Sequence, residues 1–348
     1  MFDCQELEYI SSAGLRILLH LNNQYDNMKI INVSSEVYEV FEMTGFTEMM
    51  TIEKAYRVLS IEGCEAIGEG SNGIVYRLDP DTIVKVYRNP DSLPDIKRER
   101  ELARTALILG INTAIPYDVA KVGNSYGSVF ELLNAKSFSK LIKEDPENLD
   151  KYVSMYVKLL KQIHSTKVKE TDMPDAKKIA INWAKFLKDY LPEDQYSKLI
   201  TLFENIPERT TMIHGDYHIK NIMMQNGEVL LIDMDTLSYG HPIIELAQIY
   251  LSFIGFGEID HEESINFQGL PYETLGLFFK KVMHEYLNTT DEALINSVIL
   301  KASIIAYTRY MRRTIKRIGI DTPKGKPIVD LCNKRLADAL PKVDTLDF

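Results

Sequence analysis

The chain has 348 residues, 45% of them hydrophobic, which is enough to bury a core and to hold more than one domain. Its net charge of −10 argues against a general nucleic-acid binder, which usually presents a basic face. Three widely separated cysteines give neither metal-ligand spacing nor an even disulfide framework, and no apolar run approaches the roughly 20 residues that cross a bilayer.

The opening Met1-Phe2-Asp3-Cys4 lacks the basic-then-apolar order of a signal peptide, so the cytoplasm is the expected compartment. A helical pattern runs from Ala13 to about Tyr25 on Leu15, Leu18, Leu19 and Leu21. Met28 to Val33 reads as a buried strand. Ser34 or Ser35 caps a second helix that ends near Met43, with Gly45 beyond it as a stop. Thr51 and Ile52 predict a further short strand. Two of these segments, Glu8-Tyr9-Ile10-Ser11-Ser12-Ala13-Gly14-Leu15 and Val37 to Phe46, resemble the later half of a STAS domain, the fold of bacterial anti-sigma-factor antagonists. The resemblance implies a protein partner for residues 1–57, and it places Ser12 at that family's regulatory phosphorylation position. A phosphate there would meet free amides at a helix N-terminus, although a serine at this position is also a plain helix cap.

From about residue 58 a second domain is expected. Ile61 to Ile67, Ile74 to Leu78 and Thr82 to Tyr87 predict three strands, with Asp79-Pro80-Asp81 as a turn. Between the first two lies Gly68-Glu69-Gly70-Ser71-Asn72-Gly73-Ile74-Val75. A Rossmann loop of similar spelling would open a helix, whereas Ile74-Val75-Tyr76 prefers a strand, so Gly68, Gly70, Ser71, Gly73 and Val75 are assigned to a hairpin covering nucleotide phosphates. Lys85 points to the opposite sheet face from Val84 and Val86, as a phosphate-binding lysine requires. Its anchoring carboxylate is expected from the helix Asp95 to Leu109. Glu99 shares a stripe with Leu102, Ala103, Ala106 and Leu107, and Glu101 does not. The strand Ser128 to Leu133 closes a β-rich lobe, and the backbone of Glu131, Leu132 and Leu133 is assigned to an adenine edge.

Beyond Ser137 the pattern is mainly helical, with short strands near Ile213, Ile222 and Val229. The most specific segment is Met212-Ile213-His214-Gly215-Asp216-Tyr217-His218-Ile219-Lys220-Asn221. Asp216 is placed to accept the proton of an acceptor hydroxyl. Asn221 and Asp233 supply oxygen ligands suited to magnesium, while His214 and His218 brace the loop.

The run H-G-D-x-H-x-x-N followed by Ile232-Asp233 resembles the aminoglycoside phosphotransferase and choline kinase family of small-molecule kinases, over roughly residues 60–320. Gly215 and Met234 stand where protein kinases carry arginine and phenylalanine. His241 and Glu245 replace two aspartates of the family's later segment, and Glu245 is expected to keep a bracing role.

The resemblance implies an α+β, bilobal, protein-kinase-like fold, with a small lobe at about 58–135 and a helical lobe at about 136–348. It also implies use of ATP and Mg2+ on a hydroxyl of an amino sugar, sugar or amino alcohol. Glu258, Asp260, Glu262 and Glu263 form an acidic stretch near the expected acceptor region, read as a solvated loop. A regulatory nucleotide-binding module and a protein kinase acting on a partner or on Ser12 stay open as alternatives.

Overall fold

The computed structural model describes residues 1–25, 28–70 and 72–348, and the chain divides into two units: Met1–Ile96 with Pro116–Leu132, and Lys97–Ile115 with Leu133–Phe348. In the first unit β1 (Phe2–Asp3), α1 (Ser12–Gln24), β2 (Lys29–Val33), α2 (Ser35–Met43), α3 (Phe46–Met49) and β3 (Thr51–Lys54) build a parallel sheet of order β1-β2-β3. Side-chain caps define both longer helices. Ser11 Oγ accepts from the Gly14 amide at 3.3 Å and Ser34 Oγ from the Val37 amide at 3.4 Å. Ser11 is therefore the cap of α1, and Ser12 is the exposed first residue of the helix. Ile30, Val33, Val37 and Phe41 fill a small separate core.

The same unit continues with β4 (Arg57–Leu59), β5 (Glu65–Glu69), β6 (Gly73–Arg77), β7 (Thr82–Tyr87), α4 (Leu93–Ile108), β8 (Asp118–Val122) and β9 (Ser125–Glu131). These strands form one sheet of order β4-β8-β9-β7-β6-β5, antiparallel except where β4 meets β8. Among these strands two were missed in the sequence, β4 and the β8 arm of a hairpin turning at Gly123-Asn124, as were β1 and α3 before them. Residues Ile61 to Cys64 form a turn closed by a 3.1 Å hydrogen bond, so the strand expected from Ile61 starts only at Glu65. Helix α4 runs from this unit into the second, where Leu102, Ala103 and Ala106 join the main core. Leu107, expected on that stripe, is 42% exposed because it lies in the last turn, where α4 leaves the core.

The second unit holds β10 (Lys136–Ser137), α5 (Phe138–Glu144), α6 (Leu149–Ser165), α7 (Ala176–Phe186), α8 (Glu193–Glu204), β11 (Met212–Ile213), β12 (Ile222–Gln225), β13 (Glu228–Leu231) and β14 (Ser238–Tyr239). Helices α9 (Ile243–Phe253), α10 (Glu262–Gln268), α11 (Tyr272–Leu287), α12 (Glu292–Arg317) and α13 (Gly325–Ala339) complete it. Its core is one large apolar cluster centred on α6, α9 and α12. Helix α9 is buried on all sides, which its apolar sequence Ile-Ile-Glu-Leu-Ala-Gln-Ile-Tyr-Leu dictates. Between β12 and β13 the residues Asn226 and Gly227, at φ 52° and 84°, make the two-residue turn whose twist matches the flanking strands.

Candidate active site

The β12–β13 hairpin brings together residues twelve apart in sequence. Asn221 directly precedes β12, Asp233 follows β13 by two residues, and Ile222 pairs with Leu231, so both side chains emerge at the same end. A 3.0 Å bond from the Ile232 amide to the Asn221 carbonyl closes that end. Asp233 has φ 63° and ψ 66°, a left-handed conformation that costs a non-glycine residue roughly 1–3 kcal/mol and is characteristic of functional turns.

The segment His214 to Asn221 forms a loop between β11 and β12, held mainly through its backbone. Glu245, wholly buried on α9, accepts the His214 amide at 2.6 Å and the Gly215 amide at 3.0 Å. Burial raises its pKa to about 7, against the pull of those two amides. The expected bracing role of Glu245 is therefore visible as a carboxylate clamp on two loop amides. His241, the other departure from the family pattern, accepts the Ile243 amide through Nδ1 at 3.2 Å just before α9 and meets Asp347 Oδ1 through Nε2 at 3.1 Å. Gly215 adopts φ 81°, and a Cβ there would lie 2.7 Å from the Thr236 carbonyl oxygen. An arginine does not fit at this position.

Asp216 projects from this loop with its side chain 29% exposed. Gln248 donates to its Oδ1 at 3.3 Å, and Asn221 Nδ2 lies 3.0 Å from its carbonyl oxygen and 3.5 Å from Oδ2. His218 Nδ1 accepts the Lys220 amide, which leaves the proton on Nε2, 3.5 Å from Asp216 Oδ2. Burial alone would raise the Asp216 pKa. The His218 hydrogen bond and the nearby Arg309 guanidinium override it and hold the carboxyl well below its usual range. His214 is fully buried and accepts the Asp216 amide at 3.3 Å; burial lowers its pKa to about 4, so it is neutral at physiological pH.

Two basic side chains of this region were not singled out in the sequence. Arg309 on α12 donates to the Gly215 carbonyl at 3.1 Å while stacking on Trp183, with 5.0 Å from its guanidinium carbon to the ring centroid. Arg313, one turn on, lies over Phe256 at 5.4 Å. The spacing Arg309, Arg313, Arg317 was the available signal.

In the first unit, β5 and β6 form the hairpin predicted for the glycine loop, with Gly68 paired to Val75 and Glu69 to Ile74. Ser71 lies outside the described residues. At Gly73 a Cβ would meet the Val86 carbonyl oxygen at 2.3 Å, so β-sheet packing by itself demands glycine. At Gly68 and Gly70 the nearest atoms are 3.7 and 3.9 Å away, and packing does not. Lys85, on β7 opposite Val75 and Ser128, has its ammonium 5.3 Å from the centre of the Tyr87 ring. Glu131 pairs with Thr82 at the end of β9. The Leu132 amide, assigned to an adenine edge, is already bound to the Asp81 carbonyl at 2.7 Å, which leaves its carbonyl for that role. Leu133 opens the second unit, and both leucines are half-buried. Glu99, in the second unit's part of α4, is 5% exposed, whereas Glu101 is exposed.

Among the described residues no group of three or more His, Cys, Asp or Glu side chains forms a metal cage. One asparagine and one aspartate still suit magnesium, which binds through one or two protein oxygens and otherwise uses water and substrate phosphates. Asn221 directs its amide nitrogen to Asp216, leaving Oδ1 as the donor a hard cation needs.

Residues 63–269 match the family model described as "Phosphotransferase enzyme family", and residues 1–58 match that of the STAS domain. No curated protein matches the chain by sequence. Among solved structures, the GDP and kanamycin complex of APH(2")-IIia is 14% identical and has a TM-score of 0.56, covering 86% of this chain and 98% of its own. The ADP-bound aminoglycoside phosphotransferase APH(2'')-Ib is 14% identical at TM-score 0.54, covering 93% and 98%. A choline/ethanolamine kinase family protein from Mesorhizobium loti is 13% identical at TM-score 0.52, covering 80% and 88%. These likenesses establish the expected fold class, a β-sheet unit and a helical unit of the aminoglycoside-phosphotransferase kind. With the family model spanning more than half of its length, the chain belongs to the phosphotransferase enzyme family.

Proposed function

We propose that the chain moves the γ-phosphoryl group of ATP to a hydroxyl of a small molecule, with Asp216 as base and with Asn221 and Asp233 as the magnesium ligands. The observation that carries this reading is the setting of Asp216: an ionised, partly exposed carboxylate held by Gln248, His218 and Asn221, on a loop whose amides Glu245 clamps. In the transfer, the acceptor O–H bond breaks and its proton passes to an Asp216 oxygen. The acceptor oxygen bonds to the γ-phosphorus as the bond to the β–γ bridging oxygen breaks, that electron pair leaving with ADP. The proton then passes to solvent. A strongly acidic Asp216 takes the proton late, as suits a loose phosphoryl transition state.

Magnesium, when bound, neutralises charge on the phosphates. Lys85 and Glu99 position those phosphates, while Gly68, Gly70, Ser71, Gly73 and Val75 cover them and Glu131, Leu132 and Leu133 frame the base. The gap between the two family matches, residues 59–62, supports a division into a STAS-like piece at 1–57 and a phosphotransferase domain at 58–348. A protein partner at the STAS-like piece and a cytoplasmic setting belong to the same reading.

The test is Asp216→Asn, which keeps the side chain's shape. With labelled ATP and an acceptor library, kcat should fall by about 10²–10⁴-fold, the usual contribution of a positioned base, while ATP affinity by calorimetry stays unchanged. Turnover within about tenfold of the parent would reject the assignment. Label on the chain itself would instead favour a protein kinase.

A further inference from the structure

We propose that the hydroxyl acceptor carries an anionic group, a phosphate or a carboxylate, received by Arg313 with Arg309 on one face of α12 beside Asp216. This deepens the reading above and rests on Asp216 marking the reacting hydroxyl. Arg309, Arg312, Arg313, Lys316 and Arg317 fall at i, i+3, i+4, i+7 and i+8, a single helical face. Among the described residues none of the four arginines pairs with a carboxylate. Among the described residues the side chains of Arg312, Arg313 and Arg317 make no hydrogen bond, and that of Arg309 makes one, to the Gly215 carbonyl.

Aromatic faces hold the stripe in place. Arg309 lies over Trp183 at 5.0 Å, Arg312 over Phe186 at 5.8 Å and Arg313 over Phe256 at 5.4 Å. Such contacts orient a guanidinium and leave its N–H fork open to a planar or tetrahedral anion. The rings lead back to the loop: Phe256 packs on Phe267 at 5.2 Å, Phe267 on His218 at 5.1 Å, and His218 reaches Asp216. Cations in a last helical turn often only complement the helix dipole, which accounts for Lys316 and Arg317. It does not account for Arg309, two turns earlier and bound to the loop.

Three of the four carboxylates of the acidic stretch are already engaged, Asp260 by the Glu262 amide at 3.0 Å. Glu258 accepts from Tyr250, Tyr307 and Arg335, and Glu263 pairs with Lys324 at 3.1 Å. A cationic amine would therefore meet arginines without a carboxylate partner, while Glu258, Asp260 and Glu263 are already engaged. The stripe also lies beyond residues 63–269, so the family match does not dictate it. Within the expected range of acceptors, these charges select a sugar or polyol bearing an acid over an amino sugar or amino alcohol.

Trp183 is the only tryptophan of the chain and lies under Arg309, so its emission reports on this face. The full chain, saturated with magnesium and a non-hydrolysable ATP analogue, is titrated at constant ionic strength with inorganic phosphate, succinate or kanamycin. Phosphate or succinate should change the emission saturably, and whichever does so identifies the anionic group. Arg313→Gln should weaken that response about tenfold, the scale of one charge-assisted hydrogen bond. Arg313 is exposed, so this variant does not unpack the core. Failure of both anions to saturate, an unchanged response in Arg313→Gln, or saturation by kanamycin instead would overturn the proposal. Asp216→Asn should retain the anion response while losing transfer. Transfer retained in that variant would sink the base assignment and leave the anion site standing.

Discussion

Glu245 shows how a single buried side chain sets the loop's response to pH. It faces the His214 and Gly215 amides, His164 Nε2 at 3.9 Å, and the charges of Asp216 and Arg309. Burial lowers the His164 pKa to about 3, so that neighbour is neutral and no ion pair forms near pH 7. The folded-state pKa of Glu245 is raised from 4.5 to about 7, so folding favours its protonated form. Its contribution to stability is full below pH 4.5 and is lost as pH rises to about 7. Glu245→Gln removes this titration but turns an N–H toward the amide donors. The stability of the parent relative to the variant, from urea unfolding, should fall by about 3 kcal/mol between pH 4.5 and 7.5. A flat difference would show that Glu245 is already ionised throughout. The residues of this loop were legible because their chemistry is local and ordered. Arg309 and Arg313 were not, since a basic helix end reads as solvated until Trp183 on α7 and Phe256, in the turn after α9, are seen to lie under it.

The glycine hairpin separates two reasons for one residue type at the scale of an element. Gly73→Ala forces a methyl group into the Val86 carbonyl, on a backbone that cannot yield without breaking the β6–β7 pairing. It should destabilise the chain by about 2 kcal/mol or more in denaturant unfolding. Gly70→Ala meets nothing closer than 3.9 Å, so its stability should stay within about 0.5 kcal/mol while the KM for ATP rises. Equal loss of stability in both variants would remove the phosphate-covering reading of Gly70. The hairpin itself was legible because Ile74-Val75-Tyr76 is strand-forming where a Rossmann loop would begin a helix. The β8–β9 hairpin was overlooked although Gly123-Asn124 is a turn signal. Strand β4 has only three residues, paired to a partner some 60 positions away, and no local pattern announces such a strand.

For the whole molecule, ligand linkage offers the broadest check. An ATP analogue at about 100 times its dissociation constant adds about 2.7 kcal/mol to the stability of the unit it binds. The melting midpoint should rise by several degrees with magnesium present and by much less after chelation. Asn221→Ala and Asp233→Ala should each abolish the magnesium-dependent part alone. An undiminished shift in both would exclude them as ligands. A β-rich stretch followed by a helical one was readable from periodicity, whereas the STAS-like start was legible only through its resemblance in Glu8 to Leu15 and Val37 to Phe46.

The loop that carries Asp216 is secured by Glu245, Thr236 and Arg309, whereas Arg312 and Arg313 rest on ring faces and, among the described residues, the Arg317 side chain makes no hydrogen bond. Those three positions can therefore exchange charge without disturbing any hydrogen bond of the loop. On the reading proposed above, acceptor preference could be altered by repainting one helix while the loop that carries Asp216 stays as it was.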